Sequence, residues 1–265
     1  GRRMIANSGH DERGKYTGGR AGDQTGAEFE IRPWYKRPWD CVCRAPEKPI
    51  GYEIAALARA AALNDRIGYD QGQRWSFLDA LRRYNWEPGA IPVDCEADCS
   101  SGVITLIMAA GHRLGIDSLK TVNQVASYTG NMRAGLSSRG FSILTDEKYL
   151  NSDRYLFAGD ILLNEKHHTA INVDIGSAAR AQETIERKPN PNPQWVGECT
   201  ASLLNVRSGP GVTYSTIRDW PQLARGNWVD VCDSFPAADG SMWYYVRIYG
   251  RYYGYVHSAY IKRVT

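Results

Sequence analysis

Three stretches of the chain place apolar residues at helical spacing. Residues 52–66 are rich in alanine and put Ile54, Leu57, Ala58 and Ala61 on one face, which predicts an amphipathic helix. Trp75, Leu78 and Leu81 recur every three residues in the next segment, predicting a second. Residues 99–114 are apolar on nearly every side, with Val103, Ile104, Leu106, Ile107 and Ala110, so a largely buried helix is predicted there. Asp98 stands where an N-cap is needed and Gly115 where a helix stops. After it the period shortens to β-type runs at 141–144, 161–163 and 169–173, separated by turn formers. Helices followed by strands predict an α+β domain.

Residues 1–49 follow neither period. They are rich in glycine and charge yet hold Trp34, Tyr35 and Trp39, which a disordered tail would seldom carry, so an arm lying against the following elements is expected. Further on, Lys188-Pro-Asn-Pro-Asn-Pro193 fixes φ and withholds backbone donors at alternate positions, favouring an extended spacer. Thirteen of the 29 aromatic residues fall in the 71 positions from Trp195 onward, among short alternating runs with glycine-rich turns and no helical period. The expected organisation is a first domain over 1–187 with its arm at 1–49, a linker over 188–194, and a small all-β domain over 195–265.

Composition narrows the function classes. Of 265 residues 43% are hydrophobic and 23% charged, the values of a folded chain. Thirty-two basic against 29 acidic residues leave a net charge of +3, too small a surplus to imply nucleic-acid wrapping. No apolar run approaches the ~20 residues of a membrane span. Neither nucleic acid nor membrane is therefore an expected partner, and a monomer is expected. The first residues lack the apolar core of a secretory signal, which points to phage-type release or a trimmed secreted form. Six cysteines are too dilute for a disulfide scaffold.

One of those cysteines stands where chemistry is easiest. Cys99 opens the buried helix, where unpaired N–H groups and the helix dipole favour an anion, so the expectation is a thiol of lowered pKa and a nucleophile. Of the five histidines, His112 lies on the same helix about 20 Å further along, His257 falls in the second domain and His10 in the arm. His167 and His168 begin the 169–173 strand. Alternation puts Thr169, Ile171 and Val173 on the core face and His168 on the other, with Ala170 and Asn172. The expected dyad is Cys99 with His168, and His167 is left to line a subsite. Asn172 sits about 13 Å from His168 along the strand, too far to orient it. A hairpin centred near Gly176 would bring Gln182, Glu183 or Glu186 opposite His168, with Glu183 preferred.

Asp98-Cys-Ser-Ser-Gly102 and Gly159-Asp-Ile-Leu-Leu163 with His167-His-Thr-Ala-Ile171 resemble the two blocks of NlpC-type, papain-like amidohydrolases that cleave peptidoglycan stem peptides. Gly22-Asp-Gln-Thr-Gly26, Trp34-Tyr-Lys-Arg-Pro-Trp39 and Asn64-Asp-Arg-Ile-Gly-Tyr-Asp-Gln71 are similar to the phage endolysin members of that group. The resemblance implies substrate contacts at Tyr69, Asp23, Gln24 and Ser100, a bacterial peptidoglycan substrate, action at the cell wall, and no cofactor or metal. Leu203-Leu-Asn-Val-Arg-Ser-Gly-Pro-Gly211 and Trp243-Tyr-Tyr-Val-Arg247 resemble a bacterial SH3-like barrel, which implies wall binding. The implied reaction is attack by Cys99 on a stem-peptide amide, with His168 as base and helix-start N–H groups receiving the oxyanion. Two further readings stay open: an N-acetylmuramoyl-L-alanine amidase with the same dyad, and a non-catalytic wall-binding protein. A zinc module is a third, with Cys95 and Cys99 as a ligand pair and Cys41, Cys43 and the paired His167 and His168 to complete a tetrahedron.

Overall fold

The computed structural model describes residues 3–180, 188–237 and 240–264 and divides into two compact units, residues 1–182 and 183–265. The first unit is built on an antiparallel sheet of six strands. Its elements run β1 (Met4–Ser8), β2 (Phe29–Pro33), β3 (Cys41–Arg44), α1 (Lys48–Ala62), β4 (Ile67–Tyr69), α2 (Ser76–Arg83), β5 (Cys95–Ala97), α3 (Cys99–Leu114), α4 (Asp117–Lys120), α5 (Thr129–Ser138), β6 (Ser142–Leu144), α6 (Glu147–Leu150), β7 (Ile161–Asn164) and β8 (His168–Asn172). The sheet order is β2-β1-β8-β7-β3-β6, and β4 pairs in parallel with β5 in a separate ribbon.

The first 49 residues are therefore not an arm laid on a finished domain. They supply β1, β2 and β3, half of the sheet. Strand β1 occupies the position beside β8 that a following hairpin was expected to fill, with Ile5 opposite Asn172 and Ala6 opposite Ile171. The chain after β8 instead turns at 174–176 and enters a helical turn at 177–180. Gln182, Glu183 and Glu186 lie outside the described residues.

Helix α3 has the predicted limits. Asp98 accepts the Ser101 N–H at 2.8 Å while the Ser101 hydroxyl accepts the Asp98 N–H at 2.8 Å, a reciprocal cap. Gly115 ends the helix at φ 68°. Its core residues Ile104, Leu106 and Ile107 are fully buried, and the helix packs on α1 and β8. Alternation separates the two faces of β8 but does not show that both are covered, and every residue of β8 is buried. Ala170, on the His168 face by alternation, belongs to a second apolar cluster with Ile5, Trp39, Val42, Leu156 and Leu162. Residues 34–39 and α6 cover that face, and no period within β8 announces them.

The second unit is all β: β9 (Trp195–Cys199), β10 (Leu203–Asn205), β11 (Gln222–Ala224), β12 (Trp228–Pro236), β13 (Met242–Ile248), β14 (Tyr252–His257) and β15 (Ile261–Arg263). Five strands order as β14-β13-β12-β9-β15, and β10 pairs with β11. Val206, Leu223, Val229, Val231, Val246 and Val256 fill its core. The aromatic run divides between inside and outside: Trp243 and Tyr244 are buried, while Tyr249 and Trp228 are 81% and 60% exposed. No helix among the described residues is long and apolar enough to cross a membrane.

Candidate active site

Cys99 and His168 line one cleft of about 460 Å³, together with Asn7, Tyr69, Gln71 and His167. The fold brings them there by two local events. The α3 cap fixes Cys99 as the first helical residue, and Arg74 clamps that cap by bonding Asp98 Oδ2 at 2.6 Å, Ser100 Oγ at 2.7 Å and the Ser127 carbonyl at 2.6 Å. Pairing of β1 with β8 stops at Ala6, and helix α3 packs on β8. That packing brings Cys99, at the start of the helix, and His168, at the start of the strand, to the same cleft.

His168 is held on two sides. Its Nε2 lies 2.7 Å from Asn7 Oδ1, which also accepts from the Tyr35 hydroxyl at 3.4 Å. An amide oxygen only accepts, so Nε2 carries the proton and Nδ1 keeps its lone pair. Trp39 stacks on the imidazole with centroids 6.2 Å apart at 29°. Asn7 is thus the described residue bonded to the His168 ring, while Glu183, the expected orienter, lies outside the described residues.

Electrostatics corrects one expectation. Burial, reinforced by the neighbouring Asp98 carboxylate, pushes the Cys99 thiol up to about 11 against the N–H groups of Thr169 and Ser100 and the Arg74 guanidinium. Removal from water is the largest influence on the thiol, so the advantage expected from the helix start does not prevail. His168 is pushed down to about 4 by burial and then by Arg37 and Arg32. Both groups therefore rest uncharged, as thiol and neutral imidazole.

The other predicted residues separate. Tyr69 is buried with its hydroxyl bonded to Gln71 Nε2 at 3.1 Å, and burial holds its phenol above the usual range. His167 lies exposed on the cleft. Ser100 is spent inside the cap, donating to Asp98 and accepting from Arg74. Asp23 and Gln24 line a different hollow, with Arg20, Asn64 and Asp94. There Gly22 at φ 83° and Gly26 at φ 70° turn the chain around Asp23, whose carboxylate accepts N–H groups from Thr25, Gly26, Ala27, Glu28 and Phe29. All six cysteines are free thiols. Among the described residues no three His, Cys, Asp or Glu side chains gather into a metal cage.

Sequence reasoning missed Asn7, Tyr35, Trp39, Arg74 and His10, the last also on the cleft. The one usable signal was an asparagine within an otherwise strand-like run at the chain start, since a polar residue in a buried strand needs a partner.

A comparison with curated proteins gives no match. The endolysin-like domain model matches residues 5–179, which is more than half of the chain and spans every residue that holds Cys99 and His168, and the chain belongs to that family.

Proposed function

We propose that this protein is a cysteine-dependent peptidoglycan hydrolase that cleaves an amide bond of the wall stem peptide, with Cys99 as nucleophile, His168 as base and Asn7 as the group orienting His168. Membership of the endolysin-like family supports the cell wall as the place of action and peptidoglycan as the substrate. The observation that carries the chemistry is the cleft lined both by Cys99, the first residue of α3, and by His168, whose Nε2–H is already committed to Asn7.

The steps balance on these residues. His168 Nδ1 takes the Cys99 proton as sulfur adds to the amide carbonyl. The Cys99 N–H, which bonds no described residue, is placed for the resulting oxyanion. The imidazolium then gives its proton to the leaving amine, and its low pKa makes it a strong donor for that purpose. Water, deprotonated by the same nitrogen, hydrolyses the thioester and returns the thiol. The NlpC-like reading of the blocks around Cys99 and His168 and the SH3-like reading of the second unit belong to this proposal. The exposed rings of that unit suit it to hold the enzyme near an insoluble substrate, an effect of local concentration.

The expected result is that Cys99→Ala abolishes lysis of purified walls while the protein still sediments with them. Lysis near the wild-type rate would overturn the assignment. Mass spectrometry of the digest distinguishes an endopeptidase, which leaves stem fragments on the glycan, from an amidase, which frees whole stems.

A further inference from the structure

The charges around the cleft do not cancel. Arg32, Arg37 and Lys166 face it with a single carboxylate, Glu30, and Glu30 is taken by Arg32 at 3.4 Å. Arg37 and Lys166 remain, and among the described residues neither side chain has an ion pair or hydrogen bond. A half-buried guanidinium with no counter-ion is uncommon, because partial desolvation costs it hydration that nothing returns. Arg37 is also firmly placed. Asn164 Nδ2 bonds the Pro38 carbonyl at 2.7 Å, the Trp39 N–H bonds the Arg37 carbonyl at 2.7 Å, and Trp39 is buried against His168. Its cation acts on His168 strongly enough to rank first among the charges that depress that imidazole.

We infer that Arg37, with Lys166, forms an anion subsite that takes a carboxylate of the substrate beside the amide attacked by Cys99, so that the preferred substrate is an acidic peptide in its free-acid form. The inference rests on the hydrolase reading for the identity of the substrate, though not for the existence of the subsite. An Arg fork suits a carboxylate, and Lys166 adds a mobile point charge. A carboxamide at the same place loses the charge-assisted bond and leaves the guanidinium as poorly paired as before.

The subsite is tested in the full chain by alkylating Cys99 with iodoacetate and with iodoacetamide, two reagents that differ mainly in charge. In each, the sulfur displaces iodide and the thiol proton passes to His168. The other five cysteines are buried, and mass spectrometry of the Cys99 peptide reads the rate. The expected iodoacetate-to-iodoacetamide ratio at Cys99 is about tenfold above that of glutathione, equivalent to ~1.4 kcal/mol. It falls to the glutathione value in the double variant Arg37→Gln, Lys166→Gln, while Arg37→Lys keeps part of it. A wild-type ratio equal to that of glutathione, or one unchanged in the double variant, overturns the subsite. Residual lysis by Cys99→Ala would instead overturn the hydrolase reading, and the alkylation ratio would still report the anion subsite.

Discussion

The first unit buries polar groups in two regions, and it treats them in opposite ways. Around residues 11–28 most of the carboxylates are surrounded by donors. Asp23 accepts five backbone N–H groups, Asp11 accepts those of Arg13 and Lys15, and Asp70 caps a turn through Gly72 while holding Gly18. In the cleft the polar groups are left partly uncommitted: a neutral thiol, one imidazole nitrogen and a guanidinium with no partner among the described residues. Saturation holds a loop that has no ladder of its own. Under-commitment stores interactions for a ligand, at a cost in stability that the first region does not incur.

The sharpest test of that difference lies at His168. On the proposed mechanism His168→Ala lowers kcat for a soluble muropeptide by roughly 10²–10⁴-fold, with little change in thermal midpoint. Its pH profile is equally diagnostic. The base must be neutral, and burial with Arg37 and Arg32 holds it at about 4 against an ordinary 6.5, so activity falls only as pH drops toward that value. An acid limb of kcat/KM at or above 6.5 would contradict the buried, cation-flanked imidazole. Asn7→Ala should come next, lowering kcat about 10–100-fold with KM nearly unchanged. A loss confined to KM would show that Asn7 touches substrate rather than positioning the ring.

How much of this the sequence carried follows the same line. Helix α3, its cap and the strand holding His168 were legible because spacing and capping chemistry act over a few residues. Asn7 was not, because nothing local relates it to His168 across 161 positions; only the pairing of β1 with β8 does. The same long-range pairing filled the place where a hairpin had been expected. Asp23 and Gln24 show the converse failure. Two glycines around polar residues are equally the mark of a ligand loop and of a carboxylate turning its own backbone, and only the hydrogen bonds distinguish them. The thiol pKa was misjudged because burial, its largest cause, is a tertiary quantity that a helix start does not reveal, and because the charge of the adjacent Asp98 was counted only as a cap.

Asp23→Ala tests the saturated region. Five N–H groups lose their acceptor, so a destabilisation of about 3 kcal/mol is expected from denaturant unfolding. Hydrolysis per folded molecule should stay near wild type, because Asp23 lies in a hollow apart from Cys99. A selective loss of kcat with unchanged stability would place it in the chemistry after all.

The smallest effect on hydrolysis belongs to an acid in that region that is not saturated. Glu96 accepts the Gly22 N–H at 2.9 Å through Oε1, but its buried Oε2 has no partner among the described residues. Burial, then the carboxylates of Glu28, Asp70 and Glu12, raise its pKa from 4.5 to about 8. The folded state therefore keeps a proton that the unfolded chain releases. Below pH 4.5 both states are protonated and nothing is lost; between 4.5 and 8 stability falls as pH rises, and above 8 the folded state carries the full cost of a buried charge. Glu96→Gln removes that titration while Oε1 still accepts from Gly22. The expected outcome is a thermal midpoint several degrees above wild type at pH 8.5 and equal to it at pH 4. An equal shift at both values would mean that Glu96 is as well satisfied as Asp23, and the division between saturated and uncommitted polar groups would then fall at the cleft rather than at Glu96.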